Sequence, residues 1–164
     1  MAVVYVIMGV SGCGKSTVGE ALAKRLGAPF YDGDDYHPPE NVAKMASGKP
    51  LDDTDRIPWL ARLRNLIAAH LEKGETAVLA CSALKKRYRD QLREGNDGIQ
   101  FVHLKGDFEL IWRRMQARPG HYMKAEMLHS QFADLEEPGA DEAIIVDIEN
   151  NVETIVERIL EAGG

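Results

Sequence analysis

Cysteine is scarce in this chain, with only Cys13 and Cys81 among 164 residues. Two lone thiols build neither a disulfide framework nor a zinc site, which predicts a reducing, cytoplasmic setting. Long hydrophobic runs are missing too, so no membrane partner is expected. The N-terminus reads straight into a strand, without a charged leader or cleavage site. Basic charge is in deficit: 20 Lys and Arg against 26 Asp and Glu give a formal net charge of −6. No block of basic residues is interleaved with aromatics, which argues against a nucleic-acid partner. The five histidines (37, 70, 103, 121 and 129) never stand at H-x-x-x-H spacing, and no protein-held transition metal is expected. Repeats, linkers and low-complexity segments are lacking as well. The length suits one domain, residues 1–164, able to bury about two-thirds of its unfolded surface.

What is present is concentrated between Val3 and Leu26. Val3 to Met8 is a short β-branched run of the kind buried on both faces of a sheet. Gly9-Val10-Ser11-Gly12-Cys13-Gly14-Lys15-Ser16 fits the phosphate-loop pattern G-x-x-x-x-G-K-[ST] at every fixed position. Val18, Leu22 and Leu26 then give a helix starting near Lys15 one apolar face. In that context glycines let the backbone aim N–H groups inward at phosphate oxygens, and the helix dipole adds positive charge. Lys15 reaches the β- and γ-phosphates and the Ser16 hydroxyl ligates Mg²⁺. Gly9 through Thr17 is therefore the expected ATP-binding segment; the competing reading is a plain strand-to-helix turn. Cys13, beside positive charge and a helix N-terminus, is expected to ionise readily.

Strand and helix patterns alternate along the rest of the chain. Pro29 to Asp32 reads as a second strand, followed by a loop, Asp32 to Pro39, in which two prolines and a glycine argue against regular structure. Pro39 opens a short helix that ends at Ser47-Gly48, and Leu60, Leu63, Ile67 and Leu71 mark a longer helix stopped by Gly74. Strands are expected at Thr76–Cys81, Ile99–Leu104 and Ala143–Ile148. Helices follow Ser82–Arg89 and run over Phe108–Ala117, Lys124–Leu135 and the C-terminus, with Asp107 as one cap and Asn150 with Glu153 as another. The pattern predicts a three-layer α/β fold, a five-stranded parallel sheet with helices on both faces. Ligands in such sheets lie beyond the carboxyl ends of the strands, where four of these loops meet.

The remaining segments bear on the class of nucleotide chemistry. A base-reading N-K-x-D is absent, and the third strand does not end in the Asp that usually anchors Mg²⁺. Asp32 or Asp34 is the nearest carboxylate for the metal, the alternative being an Asx-rich turn. This pattern favours a small-molecule kinase, in which catalysis is mainly positioning and charge neutralisation. Arg113, Arg114, Arg118 and Lys124 flank Pro119-Gly120, so a lid over residues 113–125 is expected. Arg118 would stabilise the transferring phosphoryl group and Arg114 would stack on the base; otherwise these arginines only suit a helix C-terminus. Asp53 and Asp55 serve either the site or the N-cap of the long helix, and Lys86 and Arg87 read as a solvated face.

Several motifs together resemble the bacterial gluconokinases. They are Gly9-Val10-Ser11-Gly12-x-Gly14-Lys15-Ser16, Asp32-Gly33-Asp34-x-x-His37-Pro38, and Lys44-Met45-x-x-Gly48-x-Pro50-Leu51-x-Asp53-x-Asp55-Arg56-x-Pro58-Trp59-Leu60. To these are added Cys81-Ser82-Ala83-Leu84-Lys85-Lys86-x-Tyr88-Arg89-Asp90, Leu104-Lys105-Gly106-Asp107 and Gln131-Phe132-x-x-Leu135-Glu136-Glu137-Pro138. The likeness spans nearly the whole chain; the family often has Ser where this chain has Cys13, a position that needs only its backbone. It implies transfer of the ATP γ-phosphoryl group to the 6-hydroxyl of D-gluconate, a sheet of the shikimate-kinase and adenylate-kinase type, and a homodimer. Gluconate's carboxylate calls for Arg56, Lys85 or Arg89, and its hydroxyls for Asp34, His37 and Ser82. By analogy with related small kinases, Asp34 takes the reacting hydroxyl and Arg56 the acid group, with Lys15, Asp34 and Arg118 catalytic. Asp32 joins Ser16 at the metal. Two alternatives stay open: a kinase for another small anionic acceptor such as shikimate or a nucleoside monophosphate, and a nucleotide-gated binding module without transfer.

Overall fold

The β-branched run near the start becomes β1 (Val4–Met8), all five residues of which are buried because the strand lies at the centre of the sheet. The computed structural model describes residues 2–117 and 125–163. After β1 come α1 (Lys15–Leu26), β2 (Phe30–Asp32), α2 (Pro39–Ala46), α3 (Asp53–Glu72), β3 (Ala77–Ala80) and α4 (Lys86–Arg93). The chain continues through β4 (Ile99–Lys105), α5 (Phe108–Gln116), α6 (Ala125–Asp134), β5 (Ala143–Asp147) and α7 (Val152–Gly163). The five strands are parallel, in the order β2-β3-β1-β4-β5.

Side-chain alternation along β1 divides the core into two halves. Tyr5 and Ile7 pack with Val18 and Leu22 of α1 and with Ile155 and Ile159 of α7. Val4, Val6 and Met8 face the opposite way, toward Leu60, Leu63 and Ile67 of α3 and Leu92 of α4. Helices thus cover both faces, as the alternating pattern predicts. Register sets the level of the site. Ile7 and Asp32 both pair with Ala80, so the phosphate loop after β1 and the carboxylates after β2 emerge at one height.

Three local expectations need correction. Residues Gly33–Tyr36 form a single 3-10 turn, because the Asp32 carboxylate accepts the Asp34 N–H at 3.0 Å and starts it. The long helix begins at Asp53, ahead of its apolar stripe, and its cap is Asp52 in a reciprocal capping box with Asp55. Pro58 is accommodated inside it, where Trp59, Leu60, Leu63 and Ile67 bury the following turns. The cap of α7 is Asn151, which accepts the Thr154 N–H at 2.8 Å, while Asn150 donates to Asp147 O.

Arg89 is the largest departure, since it does not serve an acid group of a ligand. It is 1% exposed, and its guanidinium ties α4 to the segment before β5. Nε donates to Glu142 at 2.9 Å, Nη1 to Ala83 O and Leu84 O, and Nη2 to Glu136 O and Glu142. A guanidinium so fully bonded has no donor left for substrate. Arg89→Ala is expected to lower unfolding stability by about 3 kcal/mol, near the low end for breaking a buried pair. Glu142 keeps Arg93 as a second partner, which limits the loss. Urea denaturation measures the effect, and the folded fraction should keep its turnover.

Candidate active site

The phosphate loop turns through backbone angles that side chains resist. Gly12 has φ of +81°, and a Cβ built there would meet Met115 Cγ at 2.6 Å. Gly14, at φ +98°, provides the left-handed residue from which α1 starts. Lys15 Nζ donates to the carbonyls of Gly9 and Val10, each at 3.1 Å. Gly9 N–H in turn donates to Ser82 O at 3.2 Å, which ties the loop to the end of β3. On the other side, Gln131 of α6 accepts the Ser11 N–H at 2.6 Å and donates to Ser11 Oγ at 2.9 Å.

A cleft of about 200 Å³ opens at this point, lined among others by Ser11, Lys15, Ser16, Asp32, Asp34 and Ser82. A neighbouring pocket of about 180 Å³ shares Gly12, Gly14 and Thr17 with it and is closed by Arg114, Ile148, Asn150 and Val152. Arg114 Nη2 donates to Ile148 O at 2.7 Å, which fixes the guanidinium at that wall. Two linked compartments on either side of the glycine loop suit a polyphosphate and its base.

Asp34 stands at the mouth of the first cleft. Its side chain is 85% exposed, so only partial loss of water on the protein side, and next the charge of Asp32, raise its pKa from the ordinary aspartate value, with Lys15 and His37 opposing the rise. His37 stacks on Trp59 with centroids 4.3 Å apart, and Trp59 Nε1 donates to Gly33 O at 2.7 Å. The Asn41 amide is oriented by Asp55 O, which can only accept, so its nitrogen also donates to His37 Nδ1 at 3.3 Å. The ring proton is therefore on Nε2, the atom 3.9 Å from Asp34 Oδ1. Burial lowers the His37 pKa, and Asp34 partly offsets this, so the ring is neutral near pH 7.

Beyond His37 the cations are assembled by one acid. Asp53 accepts from Lys85 Nζ at 2.9 Å, from Arg87 Nη1 at 2.7 Å and from the Tyr88 hydroxyl. Arg56 Nη1 donates to Tyr88 Oη at 2.9 Å. The Tyr88 hydrogen bond, followed by the Lys85 one, holds the Asp53 carboxyl well below the usual range. Lys85 and Arg56 also lie 5.8 and 5.4 Å from the Tyr88 ring centroid.

Comparison with known proteins decides among kinases. The family model described as Shikimate kinase matches residues 11–162. The chain is 50% identical over 160 residues to the thermoresistant gluconokinase of Escherichia coli K12, covering 96% of this chain and 91% of that protein. The chain belongs to the gluconokinase family. Gluconokinase of Gluconobacter oxydans 621H is 47% identical over 156 residues, covering 94% of this chain and 88% of the relative. A crystal structure of a gluconokinase from Sinorhizobium meliloti 1021 superposes with a TM-score of 0.88 at 45% identity, over 97% of this chain and 90% of that one.

The structure brings together most residues singled out from the sequence. Gly12, Gly14, Lys15, Ser16, Thr17, Asp32, Asp34 and Ser82 share the first cleft, and Arg114 borders the adjoining one. Arg118 and most of the lid expected over residues 113–125 lie outside the described residues. Asp55 belongs to the helix cap and Asp53 to the cation cluster, so the two acids divide the roles proposed for them. Arg87, read with Lys86 as a solvated face, is 67% exposed at its side chain and also pairs with Asp53 at 2.7 Å. Several residues carry no binding or catalytic role in the sequence reading: Asn41, Trp59, Tyr88, Gln131, and Ile148, Asn150 and Val152. The last group follows β5, and extending the strand-end rule to that strand would have found it.

Cys13 also departs from expectation. It is 2% exposed, and burial pushes its thiol pKa up more than Lys15 draws it down. Cys81, in the wall of the first cleft yet only 1% exposed, is pushed up to about 12 by burial. Neither thiol should react with Ellman's reagent in the native protein, whereas both should titrate in denaturant. For Asp34, an NMR titration should find a pKa above that of an ordinary aspartate. Asp32→Asn should lower it and Lys15→Ala raise it further, following the sign of each neighbour.

Proposed function

We propose that this protein transfers the γ-phosphoryl group of ATP to the 6-hydroxyl of D-gluconate. The observation that carries the reading is the shared cleft, in which the phosphate loop with Lys15 and the Asp34 carboxylate face the same space. The names of relatives at 47–50% identity supply the acceptor. Gly9 to Thr17 would take the triphosphate, with Arg114 and the loop after β5 bounding the base. Asp34 orients the acceptor hydroxyl and receives its proton as the new O–P bond forms and ADP departs. Neutral His37, with its proton on Nε2, donates a hydrogen bond to Asp34 or to a neighbouring sugar hydroxyl. Arg118 is the lid arginine in this reading.

Arg56 and Lys85 form the receptor for the acid group. Their fit rests on the Tyr88 ring that both approach and on donors that, among the described residues, remain on each after the bonds to Tyr88 and Asp53. Ser16 and Asp32 suit Mg²⁺, because a hydroxyl and a carboxylate are hard oxygen donors and both line the phosphate cleft. Bound there, the ion would neutralise charge on the β- and γ-phosphates. A cytoplasmic homodimer completes the reading, and exposed Val42 and Met45, one turn apart on α2, are apolar surface that such pairing would cover.

A second reading is favoured by one observation: the family model that matches the chain is described as Shikimate kinase. A coupled ADP-release assay over sugar acids, shikimate and nucleoside monophosphates separates the two. Gluconate is expected to give the highest kcat/KM, and turnover on shikimate above gluconate would overturn the proposal. Arg56→Ala should raise the KM for gluconate by about 10- to 100-fold, as loss of a charge-assisted bond implies, with a smaller change in kcat. Asp34→Asn should instead lower kcat by orders of magnitude with the fold retained.

A further inference from the structure

We propose that Gln131 is a positioning residue for the terminal phosphate of the nucleotide, acting through the hydroxyl of Ser11. The inference rests on the reading of the phosphate loop as an ATP site and concerns a part of it that motif matching leaves blank. Gln131 lies 120 residues beyond Ser11, yet its amide closes on both polar groups of that residue. The Ser11 N–H can only donate, so the Gln131 oxygen must face it, at 2.6 Å. The amide nitrogen is then turned to Ser11 Oγ, 2.9 Å away, and there it donates.

Two consequences follow from that fixed orientation. First, the Ser11 main-chain N–H is occupied by the side chain, so Ser11 offers phosphate its hydroxyl rather than its amide. Second, the hydroxyl oxygen already accepts a hydrogen bond, and its own proton must point elsewhere. Among the described residues Ser11 Oγ has no other partner, and Ser11 borders the same cleft as Lys15, Ser16 and Asp34. The hydroxyl proton is thereby directed at the anionic end of the triphosphate, where a preset donor helps most because nothing need reorganise. Glutamine is suited to this task because it combines an acceptor and a donor on one planar group. Glutamate at the same position would accept from both Ser11 groups and draw the hydroxyl proton away from the cleft.

Nucleotide binding without acceptor, measured by calorimetry, tests this apart from the identity of the acceptor. A non-hydrolysable ATP analogue and ADP are compared, since only the former carries the γ-phosphate. Ser11→Ala and Gln131→Glu are each expected to weaken the analogue about tenfold, as loss of one hydrogen bond to a charged group implies, and to change ADP affinity less than twofold. In the double variant the Gln131→Glu loss should vanish, because the proton it diverts is already gone. The proposal is overturned if Gln131→Glu weakens the analogue equally in the Ser11→Ala background, which would mark a simple charge effect. Parallel loss of ADP affinity, or no loss at all, also overturns it. Should Gln131→Glu fail to fold, Ser11→Ala alone decides by its discrimination between the analogue and ADP.

Discussion

The Lys15 ammonium, bonded to the carbonyls of Gly9 and Val10, holds the phosphate loop closed on its own side chain. Those two carbonyls are turned toward the lysine, Val10 O also accepts the Cys13 N–H at 3.3 Å, and the Ser11 N–H is held by Gln131. The left-handed turns at Gly12 and Gly14 make this course possible, and tight packing against Met115 leaves no room for a side chain at Gly12. The other parts of the site are arranged with respect to this loop. Ser82 O fixes one flank, Gln131 fixes the other, and the register of β2 against β3 brings Asp32 and Asp34 to the same level.

On the acceptor side the organising principle is different. The loop is shaped by its backbone, whereas the region around His37 and Arg56 is built from side chains that hold one another. Trp59 supports His37 by stacking and anchors the 3-10 turn through Gly33 O. Asn41 sets the His37 tautomer, and Asp53 gathers Lys85, Arg87 and Tyr88. Such a network fixes the direction of each donor before a ligand arrives, which reduces the ordering cost of binding. The long α3 helix joins the two principles, because its N-terminal turns carry Asp53, Arg56 and Trp59 while its middle packs into the core.

Several features were legible in the chain because their signal is local. The phosphate loop, the alternating strands and helices and the Asp107 cap each depend on residues within a few positions of one another. The motifs that resemble gluconokinases likewise hold their residues in short order. Similar local patterns elsewhere in the chain have different outcomes. Arg89 and Lys85 stand four residues apart after the same strand, yet one turns into the core to meet Glu142 and the other stays with Asp53. Cys13 has the positive neighbour that favours a thiolate, but burial outweighs it. Nothing in the spacing of acids before α3 said that Asp52 would take the cap and release Asp53.

The sequence by itself determined that a polyphosphate loop follows a buried strand, that the sheet is parallel, and which family the motifs resemble. These are properties of backbone conformation and side-chain periodicity, which neighbouring residues dictate. Only the tertiary structure decided which cations remain available, which nitrogen of His37 carries the proton, and that Gln131 reaches Ser11 from 120 positions away. Those outcomes depend on burial and on hydrogen-bond partners from distant segments, and a chain acquires both only when its elements pack together.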